Sequence, residues 1–386
     1  MRDVSIIGVG QTAVAEHWEL SLRQLAYAAA RAAFDDAGIG AVDALYVGNM
    51  SGQELSHQGH LGALLADFIG LRGIEAIRVE AADASGGAAL RQAFVAVASG
   101  LIETAMVLGI EKVTDVVGSR RLTAASTSLD ADYEAAQGVT PAALAALLMQ
   151  RYMHQANARL EDFAGFSVNA HANGALNPNA MYRNRIKPES FAKAPPIAPP
   201  VSLFDAAPEG DGAAAVIITA TERAKDLVPK PVRIVASAVA TDTLSLHDRQ
   251  DFLALGAARL SAERVYEQAR MGHQHIDLFE LHDSYTVLAA LTLEACGFSN
   301  PGEGFKLAND ASIGLKGSIP ISTLGGLKAR GNAGGATGVY QAIEATLQLR
   351  GQAGQNQVDG AKIAMIQNLG GLGATAVTHI LQSVDD

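Results

Sequence analysis

Residues 79–92, VEAADASGGAALRQ, run from the end of an apolar strand into a small-residue helix across a glycine pair. A turn of this kind sets one side chain at a helix N-terminus, where free backbone N–H groups and the helix dipole favour an anion. Here that side chain is Asp83, and a carboxylate in that place either caps the helix or works as an acid/base group. Downstream, FELHDSY brings His282, Asp283, Ser284 and Tyr285 together at the end of another apolar strand, and GGLKARGNAGGATG sets Lys328, Arg330 and Asn332 before a second small-residue helix. His282 can bind an oxyanion or simply fill a core. Tyr285 can pass a proton through its hydroxyl, whereas Asn332 hydrogen-bonds but accepts no proton at neutral pH. Lys328 and Arg330 can meet a phosphate or stay ordinary solvated charges. Glycine pairs at 86–87 and at Gly370–Gly371 leave backbone open to a close approach.

Composition narrows what these groups act on. The chain has 386 residues, half of them apolar, and a formal net charge of −11, which argues against nucleic acid or an anionic membrane as the main partner. Its single cysteine, Cys296, excludes an internal disulfide and a cysteine-built metal cluster and fits a reducing compartment. The cytoplasm is the expected location, and no metal site is expected. LEACGFSN puts that thiol at a helix end, where a buried structural role is the natural reading. The first residues, DVSIIGVGQ, enter a strand directly, and no apolar run reaches membrane-spanning length.

The elements that must position these residues alternate between β-branched runs and alanine-rich helical stretches, the pattern of an α/β layered fold. Strands are expected at 4–10, 43–49, 74–82 and 104–110, with helices at 21–36, near 58–70 and at 86–100. From 118 to 208 the pattern turns irregular, with helices at 140–155 and 160–175 and a proline cluster at 193–202; GAAAVIITA then returns to the sheet. Strands at 232–240, 277–281, 362–367 and 374–381 and helices at 261–271, 286–296 and 338–350 complete the chain. The second half repeats the first. DASGGAALRQA overlays NAGGATGVYQA, making Asp83 and Asn332 equivalent; TAMVLGIE overlays IAMIQNLG, and DALYVGNM overlays DLFELHDS. Asp83 and Asn332 are therefore expected at the N-termini of two central, antiparallel-packed helices related by a pseudo-two-fold.

With VSIIGVGQT, NAHANGALNPNA, GDGAAAVIITA and QNLGGLGATAVTHIL, these segments resemble the thiolase superfamily over nearly the whole chain, closest to the archaeal and sterol-carrier-protein-x types. The resemblance implies an α/β thiolase fold: two duplicated five-layered α/β/α/β/α half-domains with an inserted loop domain. The N-terminal half would span 1–117, completed by 209–225, the loop domain 118–208 and the C-terminal half 226–386. In that family the residue at position 83 is the nucleophilic cysteine, a histidine stands at position 332, and a second cysteine occupies position 284. This chain carries Asp83, Asn332 and Ser284 instead. His282 matches the histidine or asparagine that binds the thioester oxygen, His171 and Asn173 match a pattern near the pantetheine arm, and Leu324 replaces a serine that usually contacts it.

A carboxylate attacking a thioester gives a mixed anhydride that hydrolyses readily, so thiolysis through an acyl-enzyme is not expected. An oxyanion site without a nucleophile suits retro-aldol cleavage of a β-hydroxyacyl-CoA, or the reverse condensation, because both stabilise a thioester enolate. Thiolase-like aldolases, which the chain resembles in lacking the cysteine, rely on tyrosines and a zinc-ribbon/OB-fold partner. On this reading His282, Tyr285, Asp83 and Asn332 are the candidate catalytic residues, and Gly370, Gly371, His171, Lys328 and Arg330 the candidate substrate contacts. Coenzyme A enters only as part of the substrate, and a homodimer with a small partner chain is implied. A silent acyl-CoA-binding homologue and an acyltransferase with an unusual nucleophile remain as alternatives.

Overall fold

The computed structural model describes residues 2–384. Nine strands, β1 (Val4–Gln11), β2 (Ala44–Gly48), β3 (Glu75–Val79), β4 (Thr104–Glu111), β5 (Gly212–Ala220), β6 (Val232–Thr241), β7 (Leu278–Glu280), β8 (Ile363–Gly370) and β9 (Thr375–Ser383), form one sheet in the order β3-β2-β4-β5-β1-β6-β9-β8-β7. That order reads the same from its middle outward. β1 and β6 pair antiparallel through Val4–Ile234, Ser5–Arg233 and Ile6–Val232, and on either side the strand senses match, antiparallel twice and then parallel. Even β3 has a counterpart, an isolated parallel bridge between Phe279 and Ile321 beyond β7. The three sequence overlays fall on equivalent elements of the two halves.

Helices sandwich this sheet in layers. On the N-terminal half, α1 (Leu22–Ala37) and α2 (Leu61–Ile69) cover one face, where Leu25, Ala29 and Leu65 pack on Ile7, Leu45, Met106 and Ile217. The alternate strand residues, Ile6, Tyr46, Val107 and Ile218, face the other way, onto α3 (Ser85–Ser99) and α8 (Thr337–Arg350). The same two helices meet the C-terminal half-sheet through Ile366 and Ala364. Met365, Leu369 and Ile380 on its far face join a core with α6 (Gly256–Ala269) and α7 (Thr286–Ala295). The result is the expected helix/sheet/helix/sheet/helix stack. β4 and β5 are buried at every position, which explains their unbroken apolar sequences: helices cover both faces, so no polar alternation is needed.

Between β4 and β5 lie α4 (Pro141–Ala156) and α5 (Ala164–Gly174), with a short hairpin at 196–202. Their apolar residues, including Leu148, Tyr152 and Phe166, share one core with α6 and α7 rather than forming their own. The segment NAHANGALNPNA acts as a clamp. Asn169, Asn173 and Asn177 follow at intervals of four along α5 and the turn after it, and their amides donate to the carbonyls of Ile321, Ser322 and Leu324 at 3.3, 3.1 and 2.9 Å. This ladder holds the irregular stretch that carries Lys328, Arg330 and Asn332. Asn173 is thereby spent on ordering the loop.

Candidate active site

The two central helices touch through their first turns. A Cβ on Gly86 would lie 2.8 Å from the Gly335 carbonyl, and one on Gly338 would lie 2.3 Å from the Gly87 nitrogen, so only glycine lets the backbones meet. Both positive helix ends therefore face the same region. Asp83 and Asn332 sit there, each just before its helix, as the repeat requires.

Asp83 does not cap α3, which corrects the capping expectation. The N-cap is Ala84, without a side-chain cap bond, and the turn is pinned by Ser85, whose hydroxyl accepts from Ala81 N–H at 2.9 Å and donates to the Ala82 carbonyl at 2.5 Å. Ala82 is left-handed, at φ 51°, and this re-aims the next side chain away from the helix axis. The Asp83 carboxylate instead lies beside its own N–H, the Gly371 N–H and the Asn332 side chain, and each of these favours its ionised form. Burial, then the nearby Glu209 carboxylate, pushes its pKa up to about 6 against those three donors. A carboxylate so poised is ionised at neutral pH and still a useful base.

Asn332 is oriented for this contact. Its Oδ1 accepts from Gly334 N–H and the Thr337 hydroxyl, both at 3.0 Å, which leaves the amide N–H groups for Asp83. Residues 208–210 run beside it: Asn332 N–H donates to Pro208 and its carbonyl accepts from Gly210. The intervening Glu209 is thereby delivered to the cleft, where Arg121 holds it at 2.7 Å. Asp83, Asn332, Gly371, Glu209, Ser284 and Tyr285 line one cavity of about 90 Å³. Tyr285 starts α7. Burial, Glu209 and Asp83 all raise its pKa well above the ordinary phenol value, so its hydroxyl is a donor and a poor base.

Further groups escaped the sequence reading. Glu111, at the end of β4, lines the same cavity and accepts from Asn49 Nδ2 and from the N–H groups of Met50, Ser51 and Gly335 at 2.9–3.0 Å. Burial raises its pKa to about 7 despite these donors, and it ties β4 to the start of the second central helix. Asn368, on β8, contacts His282. Neither had a local signal: Glu111 ends an apolar run, and Asn368 lies inside one.

The remaining candidates are distributed differently from the expectation. His282 is fully buried and stands behind the cavity wall rather than on it. Gly370 also lies outside the lining; a Cβ there would meet the Ala81 carbonyl at 2.6 Å, so it lets β8 approach the Asp83 turn, while left-handed Gly371 supplies the N–H. Arg330 is not available to a phosphate. It is 1% exposed, paired with Glu344 at 2.9 Å and stacked 4.8 Å over the Tyr340 ring. Lys328 is likewise buried, its Nζ donating to the Asp205 carbonyl, and burial lowers its pKa to about 8. With His171, which stacks on Tyr182, it borders a second cavity of about 360 Å³ that shares Ala207 with the first. Tyr340 only packs, its hydroxyl donating to the Thr12 and Ala213 carbonyls. Cys296 lies in the core against Gln367, far up from its normal pKa, and outside the cleft lining.

Comparison with known proteins gives one consistent picture. A model of the thiolase N-terminal domain matches residues 4–195, and a thiolase C-terminal domain-like model matches 238–383. The acetyl-CoA acetyltransferase of Methanothermobacter thermautotrophicus is 42% identical over 382 residues, covering 98% of this chain and 99% of that protein. The benzoylsuccinyl-CoA thiolase subunit BbsB of Thauera aromatica is 31% identical over 377 residues, 96% and 95% of the two chains. Among solved structures, an Ltp2-ChsH2(DUF35) aldolase superposes with a TM-score of 0.85 at 26% identity, over 99% of this chain and 98% of that one. No helix among the described residues is long and apolar enough to cross a membrane.

Proposed function

Because this chain belongs to the thiolase family yet carries Asp83 where the family's resemblance calls for a cysteine, we propose that it makes or breaks a carbon–carbon bond beside an acyl-CoA thioester without an acyl-enzyme. The reaction is retro-aldol cleavage of a β-hydroxyacyl-CoA, or its reverse. Asp83 takes the proton of the β-hydroxyl as the Cα–Cβ bond breaks. The bond's electrons pass into the thioester as an enolate, and the enolate carbon then takes a proton, giving a carbonyl compound and a shorter acyl-CoA. One observation carries this reading: the poised Asp83 carboxylate, the Asn332 amide and the Tyr285 phenol face one cavity that the chain's only thiol does not line.

The likeness to the solved Ltp2-ChsH2(DUF35) aldolase supports it, and that aldolase is named for two components. A small zinc-ribbon/OB-fold partner, as well as pairing of two copies, is part of the proposal; β3 leaves one edge unpaired at the end of the sheet, with Ile77 46% exposed. The second cavity, bordered by His171 and Lys328, shares Ala207 with the first and is the proposed site for the rest of the thioester. The relative named as an acetyltransferase favours a second reading, acyl transfer to or from coenzyme A.

The test is a panel of β-hydroxyacyl-CoAs given to the protein alone and with its partner, with and without free CoA. Carbonyl product and shorter acyl-CoA are expected in equal amounts, with no thiol consumed. Cleavage of a β-ketoacyl-CoA that requires free CoA and leaves a trapped acyl-enzyme establishes acyl transfer instead. Binding without cleavage of any substrate leaves a silent homologue. As a control, Cys296→Ala is expected to cost about 1 kcal/mol of stability and leave turnover within about two-fold, a difference well under 1 kcal/mol in barrier. Inactivation by that change makes Cys296 a nucleophile and overturns the reading without an acyl-enzyme.

A further inference from the structure

Asn368 is 2% exposed on β8, wedged between the first turns of the two central helices. Its Oδ1 accepts the Gly87 N–H at 3.2 Å, and that bond decides which way the amide points. The NH2 group faces the other side, with Nδ2 3.1 Å from Nδ1 of His282. A carboxamide nitrogen only donates. The Nδ1 of His282 must therefore accept, and the ring proton resides on Nε2. Burial, reinforced by the positive Arg330, lowers the imidazole pKa to about 3, so the ring is neutral. Its Nε2 is fully enclosed and has no hydrogen-bond partner among the described residues.

An enclosed N–H left without an acceptor is costly in a resting fold, and native structures rarely keep one without a purpose. The ring sits two residues before Ser284, which lines the cavity, and beside Asn368, two residues before Gly370. A neutral donor held here suits an anion that forms only during reaction, because it needs no reorganisation when the charge develops.

We propose that Asn368 is a positioning residue that locks His282 in the Nε2–H tautomer, so that the imidazole, which stands just behind the cavity wall, keeps an unspent donor for the oxygen of a thioester enolate. The catalytic purpose rests on the enolate reading above; the lock itself does not. Nothing local in the sequence connects the two residues, which are separated by 86 positions.

The lock is read by nitrogen NMR on the whole protein labelled with ¹⁵N-histidine, the His282 signals being identified by their loss in His282→Gln. In the wild type Nε2 is expected to carry the proton and Nδ1 to be bare. In Asn368→Asp, whose carboxylate only accepts, a proton is expected on Nδ1. A wild type protonated at Nδ1, or an Asn368→Asp variant with Nδ1 still bare, overturns the lock. Thermal melts confirm that each variant is folded, and Asn368→Leu serves where Asn368→Asp is not, its expected signature being a mixture of tautomers.

Turnover of the substrate found in the panel reads the purpose. His282→Ala is expected to lose about 10²–10³ in kcat, the scale of one oxyanion donor, and Asn368→Leu roughly tenfold or more with KM little changed. In the His282→Ala background, Asn368→Leu is expected to cost nothing further, because it acts through the ring. Additive losses mean that Asn368 is merely structural and refute the positioning role. A wild type that shows the Nε2–H tautomer but cleaves no β-hydroxyacyl-CoA refutes the enolate reading while supporting the lock.

Discussion

Asp83→Asn is expected to lower turnover by about 10²–10⁴ while making the folded chain more stable at pH 7. The variant keeps the shape and an oxygen for the Gly371 N–H, so the site is preserved and only the proton acceptor is lost. The stability gain follows from the raised pKa. A carboxyl that moves from 3.8 to about 6 on folding holds its proton more tightly in the folded state. Its contribution therefore falls as pH rises from about 4 to about 6, and the full penalty stands above that window. This is the reverse of the usual salt-bridged aspartate. Two pKa units correspond to roughly 3 kcal/mol, and solvent in the half-open cleft reduces this to about 1–2 kcal/mol. Urea unfolding at pH 4 and pH 7 checks the sign: the Asn variant gains at pH 7 and shows little difference at pH 4. The acidic limb of kcat/KM in the wild type is expected near pH 6. An active Asp83→Asn enzyme, or one destabilised at pH 7, removes Asp83 from the role of base.

Tyr285→Phe is expected to lose about 10²–10⁴ in kcat with little change in KM or stability. Among the described residues no group hydrogen-bonds the Tyr285 hydroxyl, so the resting fold does not depend on it. Glu209 and Asp83 bear on the ring from the same cavity, and with burial they hold the phenol protonated. This narrows an acid/base expectation to one direction: Tyr285 gives a hydrogen bond or proton to the reacting oxygen, and Asp83 takes one. Rapid-quench kinetics separate the bond-breaking step from product release. Unchanged chemistry in Tyr285→Phe passes the donor role to Asn332 or His282.

What could be read along the chain was whatever recurs locally. The duplicated halves were legible because a similar small-residue helix opens twice, after Asp83 and after Asn332, and because the segments of β4 and β8 align. Element boundaries followed from periodicity, and the absence of a usable thiol followed from one cysteine at a helix end. The sequence by itself thus determined the layered fold, the equivalence of Asp83 with Asn332, and the loss of cysteine chemistry at both usual positions.

Only the tertiary structure decided what those residues do. Ala82's left-handed turn swings Asp83 off the helix axis toward Gly371 and Asn332, a choice that depends on β8 arriving alongside from nearly 300 residues away. Glu209 reaches the cleft because its backbone pairs with Asn332. Arg330 and Lys328, charged and apparently ready for a phosphate, are turned inward because the ladder of asparagines on α5 pulls their segment into the core, where Glu344 and a backbone carbonyl take them. Residue type and spacing specify which groups a strand end can carry. Burial, the partner's charge and the direction of each hydrogen bond are set by segments remote in the chain, and these are what turn a carboxylate into a base and a buried histidine into a donor.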